Sequence, residues 1–273
     1  MKIGIYSNTQ RDNELKAAKK FVRELSSAGI DYFVAESGEL NGGRLLSREE
    51  VLNLCDIIVV FGGDGTILGI VKNASAKSIP VLGVNMGNLG FLTETDESGL
   101  GDIVKALKNR AYTIEERAML EANADGETYT ALNEIVIRES AAKIAHIRLY
   151  VDDSMVDEYY ADGVLISTPT GSTAYSLSAG GPILAPDVDA LIINPLNPHS
   201  LHSRPFVVSG KSAIRLESFK NDNLQLVYDG VVRSGVLTKN CVTIAKSKTK
   251  ASFVRIKPYD FYNKILYKFN KDR

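Results

Sequence analysis

The sequence predicts an α/β N-terminal domain with a mostly parallel sheet, followed by a C-terminal all-β, sandwich-like domain. In the first part, short continuous apolar runs such as Ile57-Ile58-Val59-Val60-Phe61 alternate with helix-period stripes, the pattern of strands buried on both faces between helices. In the second part, β-rich segments follow one another between turn signals. The 273 residues give room for two ordinary domains, each with a substantial core.

Residues 2–6 read as a buried first strand, and residues 12–28 as a helix with Leu15, Ala18, Val22 and Leu25 on one face, stopped by Gly29. Strands at 32–35 and 57–61, a helix at 67–76 and a strand at 81–84 continue the alternation. The helix at 96–108 carries Leu100, Ile103, Val104 and Leu107 on one stripe and is the last before the pattern changes. Strands are then expected at 119–123, 128–138, 145–151, 155–160, 164–167, 190–194, 213–218, 224–228 and 241–246, with Asp125-Gly126 and Asp152-Asp153 as hairpin turns. The domain boundary is placed after residue 102, with 103–257 as the β-rich domain.

Lys and Arg total 32 against 33 Asp and Glu, a formal charge of −1, so no global field draws in nucleic acid or an anionic membrane, and any phosphate site is local. Cys55 and Cys241 lie far apart beside apolar stretches without metal-ligand spacing and read as reduced core residues. His146, His199 and His202 also lack ligand spacing and read as structural. No charged leader with an apolar core opens the chain and no apolar run approaches the roughly 20 residues that span a bilayer. A soluble cytoplasmic protein is the expectation.

Two glycine-rich loops carry the chemistry. Gly62-Gly63-Asp64-Gly65-Thr66 follows the 57–61 strand, so its open backbone lies at the carboxyl edge of the sheet, where phosphate can approach. Thr66 is placed to cap the helix starting at Ile67, whose amino end can cradle phosphate oxygens without a lysine. A carboxylate there is unfavourable unless it holds a metal, orients a hydroxyl nucleophile or takes its proton. Asp64 therefore points to phosphoryl transfer, the alternative being a tight turn with Asp64 bonded to its own loop.

The second loop, Thr168-Pro169-Thr170-Gly171-Ser172-Thr173-Ala174-Tyr175, is dense in hydroxyls. Thr173 is placed to cap a short helix through Ser178, Tyr175 offers a ring for base stacking, and Asp162 can accept from an exocyclic amine. A Ser/Thr-rich surface loop is the other reading. Asn133-Glu134 interrupts an otherwise apolar strand; together they match a ribose diol, or else form a strand-end pair facing solvent. Residues 83–91 follow the next parallel strand and bring further glycines to the edge that carries Gly62, as a second wall or a structural loop.

Taken together, Gly62 to Thr66, Asn133-Glu134, and Asp162-Gly163 followed by the Ser167 to Pro182 stretch resemble the NAD kinases of the bacterial ATP-NAD kinase family, over nearly the whole chain. Diacylglycerol and sphingosine kinases and phosphofructokinases share related GGDGT-like loops; the 167–182 stretch is far more specific. The resemblance implies phosphorylation of the 2′-hydroxyl on the adenosine ribose of NAD, giving NADP. ATP, another triphosphate or polyphosphate would be the donor, with a divalent metal ion such as Mg²⁺. It implies that Asp64 is the base or orienting group, with Gly62, Gly63, Gly65 and Thr66 around it. Asn133 and Glu134 would hold the dinucleotide, and Asp162, Thr170, Thr173, Ala174, Tyr175, Ser176, Leu177 and Ser178 the bases and riboses. Asn197 would line the site and Lys143 reach a phosphate.

Two positions depart from the family pattern. Tyr160 stands where many bacterial members carry arginine, a position that bears on the choice between NAD and NADH, and Val231 follows Asp229-Gly230 where relatives often have a polar ligand residue. The resemblance also implies a homodimer or homotetramer, while the charge balance and the lack of an apolar span give the expectation of a cytoplasmic protein that binds neither nucleic acid nor membrane. Residues 258–273 would pack back on the first domain through Phe261, Tyr262, Ile265, Leu266 and Phe269. Two other readings compete. A lipid kinase with the same loop would need an apolar groove or membrane face that neither charge nor hydropathy shows. A dinucleotide-sensing module without chemistry would gain nothing from Asp64 among phosphates.

Overall fold

The computed structural model describes residues 1–35, 45–87, 90–141, 143–220 and 223–271. Contacts divide the chain into two units, residues 1–116 with 251–273, and residues 117–250. The first division thus falls later than residue 102 and the second earlier than residue 257. The helix over 100–109 belongs wholly to the first unit, because Leu100, Ile103, Val104 and Leu107 share one apolar cluster with Phe21 and Leu25.

The first unit runs β1 (Lys2–Ser7), α1 (Lys16–Ala28), β2 (Asp31–Ala35), β3 (Leu45–Leu46), α2 (Arg48–Leu54), β4 (Ile57–Gly62), α3 (Asp64–Ala76), β5 (Val81–Asn85), β6 (Thr95–Asp96) and α4 (Leu100–Asn109). Its sheet has the order β5-β4-β1-β2-β3, every pairing parallel, as the alternation of apolar runs and helices requires. The strand interiors are apolar throughout, and Phe21 of α1 meets Phe61 of β4 edge to face at 5.6 Å. Helix α1 starts later than its apolar stripe: the buried Asp12 carboxylate accepts from Ala17 N and Ala18 N, both at 3.0 Å, and a 3₁₀ turn at Asn13–Leu15 precedes it. Helix α2 was not expected, although its Ser47 and Glu50 form a complete capping box, a signal present in the S-x-x-E spacing.

The unit closes with the end of the long strand Cys241–Arg255, where Phe253 pairs in parallel with Val81, and the C-terminal helix Phe261–Lys271. Arg255 is buried and ion-paired, its Nη1 3.2 Å from Glu94 and its Nε 2.6 Å from Glu115. Glu94 in turn accepts from Ile256 N at 2.9 Å and Lys257 N at 3.0 Å. Two buried charges survive because each is paired and further hydrogen-bonded.

In the second unit the chain continues from β7 (Thr113–Ala124), which begins in the first, through β8 (Glu127–Ala131), β9 (Glu134–Glu139), β10 (Ala145–Val151), β11 (Ser154–Ala161) and β12 (Gly163–Ser167). A 3₁₀ turn at Thr170–Thr173 and α5 (Tyr175–Ser178) lead to β13 (Ala190–Leu196), β14 (Phe206–Ser209), β15 (Ile214–Ser218), β16 (Leu224–Tyr228), β17 (Val231–Val232) and β18 (Cys241–Arg255). One antiparallel sheet has the order β14-β13-β12-β9-β16-β17, and the strands β11-β10-β15-β18 form another run of antiparallel pairs. Ile135, Ile137, Val164, Ile166, Leu191 and Ile193 of the first pack with Ile147, Leu149, Leu216, Val242 and Ile244 of the second in one core, which is sandwich packing. Both expected hairpin turns are present, with positive φ at Asp125, Gly126, Asp152 and Asp153, as tight two-residue turns of this hand demand. The single strand expected over 128–138 is split in two at Leu132 and Asn133. β14 and the two-residue β17 are further strands, and β18 runs on well past residue 246.

Candidate active site

In the first unit the site grows from the end of β4. Gly63 is the extended N-cap and α3 begins at Asp64 rather than Ile67. Thr66 N and Ile67 N already bond to Gly63 O at 2.9 and 3.1 Å, so Thr66 lies inside the first turn and is not the cap. Its hydroxyl instead accepts from Asn8 Nδ2 at 3.1 Å. The half-buried Asp64 carboxylate does not bond its own loop: Oδ2 accepts from Phe91 N at 2.8 Å and Oδ1 from Leu92 N at 3.1 Å. A Cβ on Gly90 would lie 2.0 Å from Asp64 Oδ1, so only glycine lets the 90–92 backbone come this close.

A cavity of about 430 Å³ opens over this loop, lined by Gly63, Asp64, Gly65 and Thr66 together with Asn8, Gln10, Arg11, Asn85, Met86, Gly87, Gly90 and Lys268. Gly87 and Gly90 thus form the second wall. Asn8, Arg11 and Lys268 were not among the expected residues. For Asn8 and Arg11 the signal was topological: β1 pairs with β4 in parallel, Ser7 beside Phe61, so the segment after β1 emerges next to the glycine loop.

In the second unit the break between β8 and β9 is held by Asp229, a residue outside the expected set. With φ of 46°, its carboxylate accepts from Leu132 N and Asn133 N at 2.7 Å and from Glu134 N at 3.2 Å. In sequence Asp229-Gly230 stands out only through the Val231 that follows it. Asn133 O accepts from Thr168 N at 2.9 Å and Ser167 Oγ at 3.2 Å, and Thr168 Oγ1 donates to Leu132 O at 2.6 Å. A Cβ on Gly171 would come within 2.2 Å of Asn133 O. The hydroxyl-rich loop and the Asn133-Glu134 pair are therefore one locked assembly.

Buried Arg117 adds a bond from Nη1 to Thr170 Oγ1 at 3.3 Å. Thr173 Oγ1 donates to Thr170 O at 3.3 Å, and α5 starts from Ala174 without a side-chain cap, so Thr173 does not cap it. Within α5, Ser176 is buried and Asn194 Nδ2 donates to its carbonyl at 3.2 Å, while Tyr175 is exposed and Leu177 and Ser178 lie toward the surface. Asn197 Nδ2 donates to Asp162 Oδ2 at 2.8 Å, joining those two expected residues. Tyr160 packs edge-on against His146 at 5.0 Å and Phe219 at 5.8 Å, with Lys220 Nζ 5.0 Å from its ring centre. Lys143 is exposed in the turn before β10 and takes no part in these contacts.

Burial, with the Asp229 charge as the smaller cause, pushes the Glu134 carboxyl up from 4.5 to about 7. Its Oε2 is buried without a hydrogen-bond partner among the described residues, a cost that a bound hydroxyl would remove. The folded chain thus holds a proton there that the unfolded chain releases, so this contribution to stability is complete below pH 4.5 and is lost as pH rises through about 7. Thermal melts of the ligand-free protein from pH 4 to 8 are expected to show this fall, on the order of 3 kcal/mol. Glu134→Gln flattens it; an unchanged pH profile in that variant contradicts the assignment.

Residues 3–112 match the ATP-NAD kinase N-terminal domain family and residues 132–256 the ATP-NAD kinase C-terminal domain family. The chain is 39% identical over 274 residues to the NAD kinase of Caldanaerobacter subterraneus subsp. tengcongensis, covering 96% of each. With the NAD kinase of Methanothermobacter thermautotrophicus it shares 39% identity over 270 residues, covering 97% of this chain and 95% of the other. Among solved structures, an Archaeoglobus fulgidus NAD kinase in complex with ATP superposes with a TM-score of 0.79 at 27% identity, covering 98% of both chains. The fold is also that of yeast NADH kinase complexed with NADH, with a TM-score of 0.85 at 24% identity, covering 98% of this chain and 86% of the other. On the two domain matches and the full-length relatives, the chain belongs to the ATP-NAD kinase family.

Proposed function

We propose that this chain transfers the terminal phosphoryl group of ATP to the 2′-hydroxyl of the adenosine ribose of NAD, giving NADP, with Asp64 as the group that orients and deprotonates that hydroxyl. The observation that carries the reading is the Asp64 carboxylate, fixed by two backbone N–H groups beside the glycine loop and facing a cavity. In the transfer the ribose O–H proton passes to the carboxylate, the oxygen bonds to the terminal phosphorus, and the bond to the bridging oxygen of ADP breaks. Positioning and charge stabilisation do most of the work in such reactions. Gly63 and Gly65 leave room for the phosphates beside Thr66, Gly62 lies buried behind them and makes room for the Thr66 side chain, and the amino end of α3 supplies partial positive charge.

The dinucleotide falls to the second unit. Asn133 and the orphaned oxygen of Glu134 take ribose hydroxyls, Asp162 with Asn197 takes a base edge, and Thr170, Thr173, Ala174, Tyr175, Ser176, Leu177 and Ser178 line the base and ribose. Lys143 reaches a phosphate from its exposed turn. A divalent ion such as Mg²⁺, bound together with the donor, would supply charge neutralisation on the phosphates. We further read the protein as a cytoplasmic homodimer or homotetramer. No helix of the described residues is long and apolar enough to cross a membrane, and sedimentation of the purified protein reads the assembly directly.

Tyr160 places an exposed aromatic ring beside Lys220, at the position where the family resemblance implies arginine. The expected result is that NADH is accepted alongside NAD, with kcat/KM values within about tenfold, a difference of roughly 1.4 kcal/mol. Parallel assays with Mg²⁺ and ATP measure this ratio. Turnover of NAD alone would show that Tyr160 leaves the selectivity intact.

A further inference from the structure

We propose that Lys268 binds the phosphate chain of the triphosphate donor, which makes the C-terminal helix a part of the site. This rests on the kinase reading above. The helix reaches the site through the loop that holds Asp64. Tyr259 OH donates to Phe91 O at 2.9 Å, and Lys264 Nζ donates to Thr93 O at 2.5 Å and to Phe91 O at 3.5 Å. The Phe261 ring packs 6.2 Å from that of Phe91. Lys264 is thus committed to backbone carbonyls, and Lys268, one turn further on the same helix face, is carried to the rim of the cavity over Asp64. Its ammonium stands 4.4 Å from the Phe91 ring centre, and the Phe91 N–H is one of the two that fix Asp64.

The cavity is built for an anion. Among the described residues its lining holds two cations, Arg11 and Lys268, against one carboxylate, Asp64, with glycines and amide side chains between them. Among the described residues no aromatic side chain lines it, so those residues offer contacts to a phosphate chain rather than a stacking surface to a base. A triphosphate carries more charge than the diphosphate of a dinucleotide and gains more from these two cations. A charge-assisted bond to phosphate from a flexible lysine stem supplies binding without a fixed angle.

The test is steady-state kinetics of the wild type, Lys268→Ala and Lys268→Arg in parallel, varying ATP and NAD separately, with thermal shifts by inorganic tripolyphosphate as a readout that needs no turnover. For Lys268→Ala, KM for ATP rises about tenfold, KM for NAD stays within about twofold, and the shift by tripolyphosphate shrinks; Lys268→Arg restores most of both. An unchanged KM for ATP, a rise in KM for NAD instead, or a fall in kcat alone overturns the proposal, the last because it would place Lys268 merely behind Phe91. If the wild type forms no NADP, the kinase reading fails. The tripolyphosphate shift then decides the anion site by itself.

Discussion

Asp64→Asn is expected to lower kcat by about 10²–10⁴-fold, the usual worth of a general base, while the protein stays folded. The carboxylate accepts from both Phe91 N and Leu92 N, and an amide keeps one acceptor oxygen, so the variant loses one such bond, costing about 1 kcal/mol. The combination is diagnostic. A turn-forming aspartate would give the small stability loss with near-normal turnover; a base gives the large kinetic loss with nearly unchanged KM values. Steady-state kinetics and a thermal melt on the same preparation separate the two.

Gly90→Ala is expected to reduce kcat about 10²-fold without removing any reacting group, the effect of misplacing one by an ångström. The added methyl would sit 2.0 Å from Asp64 Oδ1 and 2.7 Å from its Cγ. That clash is with the end of a side chain, so the carboxylate moves and the backbone stays. The displaced carboxylate gives up its bonds from Phe91 N and Leu92 N, so a stability loss of about 1 kcal/mol per bond accompanies the kinetic effect. Near-normal turnover in this variant would show that Asp64 reacts from a position other than the one held by the 91–92 backbone. Asp64→Asn and Gly90→Ala act on one group, so their effects in the double variant are less than additive.

Much of this was legible in the sequence, because the signals were local. The parallel sheet follows from the apolar runs between helical stripes, both hairpin turns from Asp-Gly and Asp-Asp, and the cavity-lining glycine loop from glycines at a strand end. The start of α3 was misplaced because Thr66 is a good cap by residue type, whereas an extended Gly63 already ends the strand and lets Asp64 enter the helix. What could not be read were partners distant in the chain. Asp229, just past the end of β16, meets Leu132 to Glu134 at the break between β8 and β9, and Arg255 meets Glu94 and Glu115. The link from Asp64 to Phe91 and on to Lys268 joins three separate segments. Such contacts depend on strand order and register, which local propensity does not encode.

The central claim is that a phosphoryl group moves from ATP to the 2′-oxygen of the adenosine ribose of NAD. Its most direct test incubates the purified protein with Mg²⁺, ATP and NAD and locates the new phosphate by ³¹P NMR, with 2′-deoxyadenosine-NAD in parallel. The account predicts NADP and ADP in equal amounts, with no dinucleotide product from the deoxy analogue. ATP left intact in the presence of NAD, or phosphate appearing on the deoxy analogue, would contradict it.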